Sequence, residues 1–338
     1  MFDHVERLGT EFELAWHRSA RMPDPGVSPK SVALAAMGGS ASAADYFVGL
    51  IGDGRRIPIE VVRDYALPGY IGEGSLVAAV SYSGTTEEAL ACYAEARKRG
   101  ASLFAITSGG ELGAIAASNG DGYFIIDYSA PPRAALGHML AAVLRMARLV
   151  GIADVSDGEV GAAARAHESL VAGLIGRHVP STENRAKRIA GSITSECLPI
   201  LLAAEHLIAP GRRARNQFSE NAKRFAVFDE VPEATHNTVV GLDGAGKVKP
   251  VVLSLESPLY GDANARRFEV TARLLAESGV LHHRIMLSGQ SRLADMFEAT
   301  AWTDAVSCYL ALLDGLDPTP TAKLMVVREA MTRTSFAG

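Results

Sequence analysis

Short apolar runs alternate along this chain with longer segments whose apolar residues recur at helical spacing. Residues 31–37, 57–62, 76–80, 103–107 and 123–126 read as buried strands. Helical patterns cover about 43–51, 89–98, 111–118 and 134–150. The first twenty residues read as one helix, carried by Val5, Leu8, Phe12, Leu14 and Trp16, and Pro23, Pro25 and Pro29 make a linker. After a break at 151–158 the plan resumes. Helices are expected over 159–175 and 185–193, and a strand over 198–203. An unusually polar stretch, 211–223, precedes a strand-like segment at 225–228. Strands at 251–255 and 283–287 flank a helix at 263–278. A mostly apolar helix, 293–313, ends before Asp317-Pro318-Thr319-Pro320, and a short helix follows. No sequence repeat relates the halves. Strands alternating with helices predict an α/β protein of two doubly wound units, each a mostly parallel sheet flanked by helices. The units are expected at 1–152 and 153–338, with ligands beyond the carboxyl ends of the strands.

Composition narrows the class. The 338 residues are 48% hydrophobic, enough for buried sheets, and the net charge of −5 offers no basic footprint for nucleic acid. No apolar run approaches the roughly 20 residues a membrane span needs. The acidic start, Met1 to Glu6, is unlike a signal peptide. Cys92, Cys197 and Cys308 lie far apart in apolar surroundings and read as buried thiols. A cytoplasmic soluble protein is expected.

Candidate chemistry concentrates in a few stretches. Ser81-Tyr82-Ser83-Gly84-Thr85-Thr86-Glu87-Glu88 sits between a strand and a helix. Its four hydroxyls surround a glycine, where the backbone can turn and a ligand can approach. Free N–H groups at a helix start favour an anion. A hydroxyl-rich loop without lysine suits a sugar phosphate better than a nucleoside triphosphate, and the pattern G-x-x-x-x-G-K-[ST] is absent. The plainer alternative is an N-cap by Thr85 or Thr86. Gly38-Gly39-Ser40-Ala41-Ser42 forms a second strand–glycine–helix junction. In the second half, Glu220 lies in Asn216 to Lys223, and His236 in Pro232 to Asn237. A Glu and a His are the usual proton carriers at neutral pH. Each has an ordinary reading as well, a solvated helix charge for Glu220 and a capping residue for His236. Arg133 follows two prolines that stiffen its backbone; alone it reads as an ion-pair arginine before a substrate clamp. His282 and His283 sit in a strand and face opposite ways, and His138 and His206 read as packing or capping residues. No ligand spacing argues for a metal, and no cofactor is expected.

These stretches together resemble the bifunctional phosphoglucose/phosphomannose isomerases, members of the sugar-isomerase superfamily built from two SIS domains. Gly38-Gly39-Ser40 is similar to the family's first glycine–serine loop, and Ser81 to Thr86 to its phosphate loop. Pro132-Arg133 resembles its substrate-side arginine. Asn216-Gln217 through Lys223 resembles its catalytic-glutamate motif, and Pro232-Glu233 through Asn237 its histidine motif. The phosphate loop marks only the superfamily; the E-N-A-K and H-N pair at this separation is the specific part.

The resemblance implies roles. Glu220 would carry a proton between C2 and C1 through a cis-enediol. His236 would help open the sugar ring, reaching in from a partner subunit of a homodimer. Arg133 would stabilise enediolate charge, and Gly39, Ser40, Ser81, Ser83 and Thr86 would hold the 6-phosphate. One departure stands out. The family's lysine after the D-P-T-P segment falls on Arg328 by ungapped count, with Lys323 nearby. Arginine keeps the cation but is a poor proton donor. The segment Ala203 to His206 also lacks the glycines and hydroxyls expected of a counterpart loop in the second unit. A non-catalytic sugar-phosphate sensor and an isomerase of another phosphosugar remain the alternatives.

Overall fold

The structure, a computed structural model, describes residues 1–333; residues 334–338 and the side chains of Arg328, Thr332 and Arg333 lie outside the described set. The first half contains α1 (Phe2–Glu6), α2 (Leu8–Ser19), β1 (Ser31–Ala36), α3 (Gly38–Ile51), β2 (Ile59–Val62), β3 (Ser75–Ser81), α4 (Glu87–Lys98), β4 (Ser102–Thr107), α5 (Gly110–Asn119), β5 (Gly122–Ile125) and α6 (Leu136–Leu149). The second half contains α7 (Asp157–Leu170), α8 (Arg185–Ser192), β6 (Leu198–Ala204), α9 (Ile208–Glu220), β7 (Val227–Val231), α10 (Ala245–Val248), β8 (Pro250–Glu256), α11 (Asp262–Glu277), β9 (Leu281–Met286), α12 (Arg292–Leu313) and α13 (Ala322–Arg333).

Two parallel sheets result, in the orders β2-β1-β3-β4-β5 and β7-β6-β8-β9. Every residue of β1 and β3 is buried, which is why these strands read as unbroken apolar runs rather than alternating ones. The halves share one core. Helix α2 packs on α6 of the first half and on α7 of the second, and the ring of Phe12 on α2 lies 4.5 Å from that of Phe297 on α12.

The differences from the sequence pattern have local causes. The first helix breaks at Arg7, whose backbone leaves the helical region at φ −98°, ψ 1°. Helix α3 begins at Gly38, because Gly38 takes φ +52° and turns the chain straight out of β1. The polar stretch is helical: α9 buries Arg213, Ala214, Gln217 and Phe218, a helical face that its polar members disguise. Strand β7 starts at Val227, and Phe225 is 91% exposed. Cys92 and Cys308 are buried as expected, while Cys197 is only half-buried. His282 and His283 do face opposite ways, bonding the hydroxyls of Ser254 and Ser192.

The second sheet differs from the first at one junction. Glu205 leads out of β6 as Gly38 leads out of β1, and it holds a left-handed φ of +50°. Its carboxylate accepts from Gly261 N–H at 2.9 Å and from Asn264 Nδ2 at 2.8 Å, at the start of α11.

Two histidines inside the helical layers set a pH dependence. Burial pushes His138 on α6 and His167 on α7 down to about 4. The unfolded chain therefore binds protons near the ordinary value of about 6.5 that the folded chain refuses. Their neutral forms give full stability above about pH 6.5, and it is lost as pH falls toward 4, by ~1.4 kcal/mol per pH unit for each histidine. We predict that the urea midpoint declines between pH 7 and pH 5, and that a His167→Leu variant shows a shallower decline over that window.

Candidate active site

The hydroxyl loop is a fitted structure. Ser81, at the end of β3, shares a hydrogen bond of 2.8 Å with the Thr86 hydroxyl and accepts from Gly84 N–H at 3.1 Å. Gly84 turns at φ +69°, and a Cβ there would lie 1.9 Å from the Gly109 carbonyl oxygen. Only glycine lets the loops after β3 and β4 interlock, as Leu112 N–H donates to the Gly84 carbonyl at 2.8 Å. Thr86 stands at the N-cap of α4, yet its hydroxyl is turned to Ser81 and no side chain caps the helix. The loop thus leaves the first-turn N–H groups without a side-chain acceptor, a setting suited to an anion. Ser40 joins the same cluster by accepting from Tyr82 N–H at 3.1 Å. Ser83 is exposed at the loop's tip, accepting from Thr85 N–H at 3.3 Å.

Arg133 stands beside this cluster. Gly39 makes the approach possible: a Cβ there would meet the Pro132 carbonyl at 3.0 Å and Arg133 N and Cα at 3.1 Å. Gly39 is therefore a packing glycine beneath Arg133. The preceding segment is tied down by Tyr82, whose hydroxyl donates to the Tyr128 carbonyl and accepts from Ala130 N–H. Arg133 is 4% exposed. Its Nε donates to Asn221 Oδ1 at 3.0 Å, and its Nη2 to the carbonyls of Pro318 and Thr319 at 2.8 and 2.7 Å. Its Nη1 lies 3.6 Å from Glu220 Oε2. Burial pulls Arg133 below its ordinary value, and Glu220 opposes that pull; an arginine remains a cation at neutral pH. The result is a fixed cation against a carboxylate that keeps 26% of its side-chain surface open.

Lys223 completes the edge of this group. It ends the turn after α9 at φ +58° and donates from Nζ to the Glu220 carbonyl at 2.6 Å. Burial first, and Arg133 next, lower its pKa from the ordinary lysine value.

The structure brings together Gly39, Ser40, Ser81, Ser83, Thr86, Arg133 and Glu220. It does not bring His236 to them within one chain. His236 is exposed after the turn Glu233–Thr235, beyond the edge strand β7, and no side-chain bond joins it to Glu220 or Arg133 among the described residues. Arg328 lies on α13, with its side chain outside the described residues. Lys323 is exposed on the same helix. Sequence reasoning missed roles for Asn221, for the Pro318 and Thr319 carbonyls, and for a buried pair, Arg213 with Asp304, at 2.6 Å. The pair had a signal: a buried acid in the apolar run of α12, and an arginine two helical turns before Glu220 on the same face. Among the described residues no three His, Cys, Asp or Glu side chains gather as a metal site. No helix of the described residues is long and apolar enough to cross a membrane.

Known proteins resemble this chain in sequence and in fold. Residues 182–331 match the family described as bacterial phospho-glucose isomerase C-terminal SIS domain. A bifunctional phosphoglucose/phosphomannose isomerase of Caldicellulosiruptor bescii is 33% identical over 345 residues, covering 98% of each chain. One from Aquifex aeolicus is 31% identical and covers 82% of each. A solved structure, of a hypothetical protein from Thermus thermophilus, has a TM-score of 0.72 at 17% identity, covering 99% of this chain and 90% of that one. The last likeness speaks for the fold alone, two parallel α/β sheets; the two isomerase relatives span most or all of the sequence, and the chain belongs to the bifunctional phosphoglucose/phosphomannose isomerase family.

Proposed function

We propose that this chain interconverts glucose 6-phosphate or mannose 6-phosphate with fructose 6-phosphate through a cis-enediol. The observation that carries this reading is the partly open Glu220 carboxylate, 3.6 Å from the buried Arg133 cation. Both stand next to the hydroxyl loop. Ser40, Ser81, Ser83 and Thr86 hold the phosphate with the start of α4. Glu220 removes the proton from C2 of the open-chain aldose and returns it to C1. The proton on the C2 hydroxyl passes to O1's side of the enediol, so the ketose forms without gain or loss of atoms. Arg133 meets the negative charge that develops on the enediolate oxygens, where a preorganised cation is most effective. Rotation about C2–C3 offers either C2 epimer to the same base. Arg328 takes the place of the family's lysine as a cation, with Lys323 the alternative.

His236 acts from a second copy in this reading, which needs a dimer. Exposed apolar residues support one. Phe225, Leu312 and Leu313 are 91%, 54% and 63% exposed. The bond between Arg224 and Asp314, 2.6 Å, keeps their two segments adjacent. Apolar side chains left open on two adjacent segments are what a second copy could cover. The reading also includes a cytoplasmic location and two units meeting near residue 152.

A non-catalytic sensor is the second reading, favoured by arginine at position 328. A coupled assay decides between them. With a chelator present, we expect fructose 6-phosphate from both glucose 6-phosphate and mannose 6-phosphate. No turnover, with sugar phosphates still raising the melting temperature, would leave the sensor or an isomerase of a different phosphosugar, which product analysis with other phosphosugars separates. We further predict that Glu220→Gln lowers kcat by at least about 100-fold while fructose 6-phosphate still raises its melting temperature; a fully active variant would end the proposal. Shared sites make one more prediction. Glu220→Gln and His236→Ala are each inactive alone, and remixing them after dissociation restores about a quarter of wild-type activity, because half the dimers carry one intact site. No recovery from well-mixed heterodimers would overturn the shared site and leave His236 acting within its own subunit.

A further inference from the structure

Four positions on α9 and its end, 213, 217, 220 and 221, share one helical face. Two of them grip Arg133. Arg213 Nη1 donates to the Arg133 main-chain carbonyl at 3.1 Å, and Asn221 Oδ1 accepts from its side-chain Nε at 3.0 Å. Arg213 is itself fixed by Asp304 on α12 through Nη2 at 2.6 Å. Asn221 is fixed by donating to Ser307 Oγ, one turn further along α12, at 3.0 Å. The helix that carries Glu220 thus holds the backbone and the side chain of Arg133 by separate hydrogen bonds.

The pair is poorly built as a stabiliser. Both side chains are 4% exposed. Yet Arg213 Nε and Asp304 Oδ1 have no hydrogen-bond partner among the described residues. A buried ion pair with unmet groups is often no better for stability than apolar side chains of similar size. What it does supply is direction: a guanidinium fork aimed at one carbonyl. The neighbouring Arg212 offers a contrast. It also reaches the first half, bonding Asp45 at 3.4 Å, and it bonds Glu230 at 2.9 Å, but it does not touch Arg133.

We propose that Arg213, held by Asp304, is a positioning residue that sets the distance between Arg133 and Glu220 for the isomerisation. This rests on the reading of Arg133 as the cation facing the enediolate. Arg213 touches no reacting atom; it acts through the Arg133 backbone. Misplacement of a catalytic group by about 1 Å can cost on the order of 100-fold in rate. The phosphate-holding hydroxyls belong to other loops and keep their geometry when Arg213 changes.

The test compares Arg213→Met, Arg213→Lys, the double variant Arg213→Met with Asp304→Leu, and Arg212→Met, each checked for melting temperature. We expect kcat of Arg213→Met to fall between about 10- and 100-fold, with KM for fructose 6-phosphate within about 3-fold. Arg213→Lys should recover part of kcat, since it keeps a donor toward the Arg133 carbonyl. The double variant removes the buried charges together, so it remains folded where the single change does not, and its kcat should be as low. Arg212→Met should keep kcat. A folded Arg213→Met or double variant with wild-type kcat would overturn the positioning role. Arg133→Met run alongside separates the two readings: if that variant is active, the assignment of Arg133 fails; if it is inactive while the Arg213 variants are not, only the positioning role fails.

Discussion

A guanidinium removed from water needs an acceptor for its N–H groups, and Arg133 meets that need from distant parts of the chain. Asn221 comes from the end of α9, Glu220 beside it supplies the opposite charge, and Pro318 and Thr319 supply carbonyls from the segment after α12. Satisfying one buried cation therefore draws both sheets and the closing segment to a single point. Much else follows from it. Gly39 must lack a side chain because the Arg133 backbone passes there, and the Tyr82 ring must reach past its own loop to anchor residues 128 and 130. The hydroxyl loop and the arginine are thereby fixed to one another through Tyr82 and Ser40.

The second sheet contributes through its helices more than its strands. Gly211 lets α9 lie against Phe228 of β7, whose ring a Cβ would meet at 2.3 Å. The same helix reaches the first half through adjacent arginines, one at the surface and one buried. Glu220 sits at its last turn, so its carboxylate takes its position from a rigid element rather than from a loop. That carboxylate stays partly open to solvent beside a buried cation.

Much of this was legible in the sequence. The alternating runs give the parallel sheets, and the motifs around Ser81, Arg133 and Glu220 name residues that do meet in space. Thr86 shows the limit of that reading, because a hydroxyl at an N-cap position looks the same in sequence whether it caps or turns to Ser81. Helix α9 was hidden for a physical reason: its buried face is built from Arg213 and Gln217 as well as Ala214 and Phe218, so no apolar stripe announces it. The Pro318 and Thr319 carbonyls were hidden because a backbone acceptor carries no side-chain signature. His236 lies beyond the outer edge of β7, apart from Glu220 within one chain, and its expected place in a partner's site depends on a second copy.

The two sheets repeat a plan without repeating a sequence, and the junction at Glu205 is where the second departs from the first. The first sheet places glycine at the left-handed turn after β1; the second places a glutamate at nearly the same φ after β6. That glutamate's oxygen then takes the Gly261 N–H and the Asn264 amide at the start of α11, donors of the kind a loop at a helix start presents to an anion. The carboxylate is a permanent tenant, bound by the chain itself and present at all times. One half leaves the start of its helix uncapped by a side chain, and the other fills the matching place with a side chain of its own.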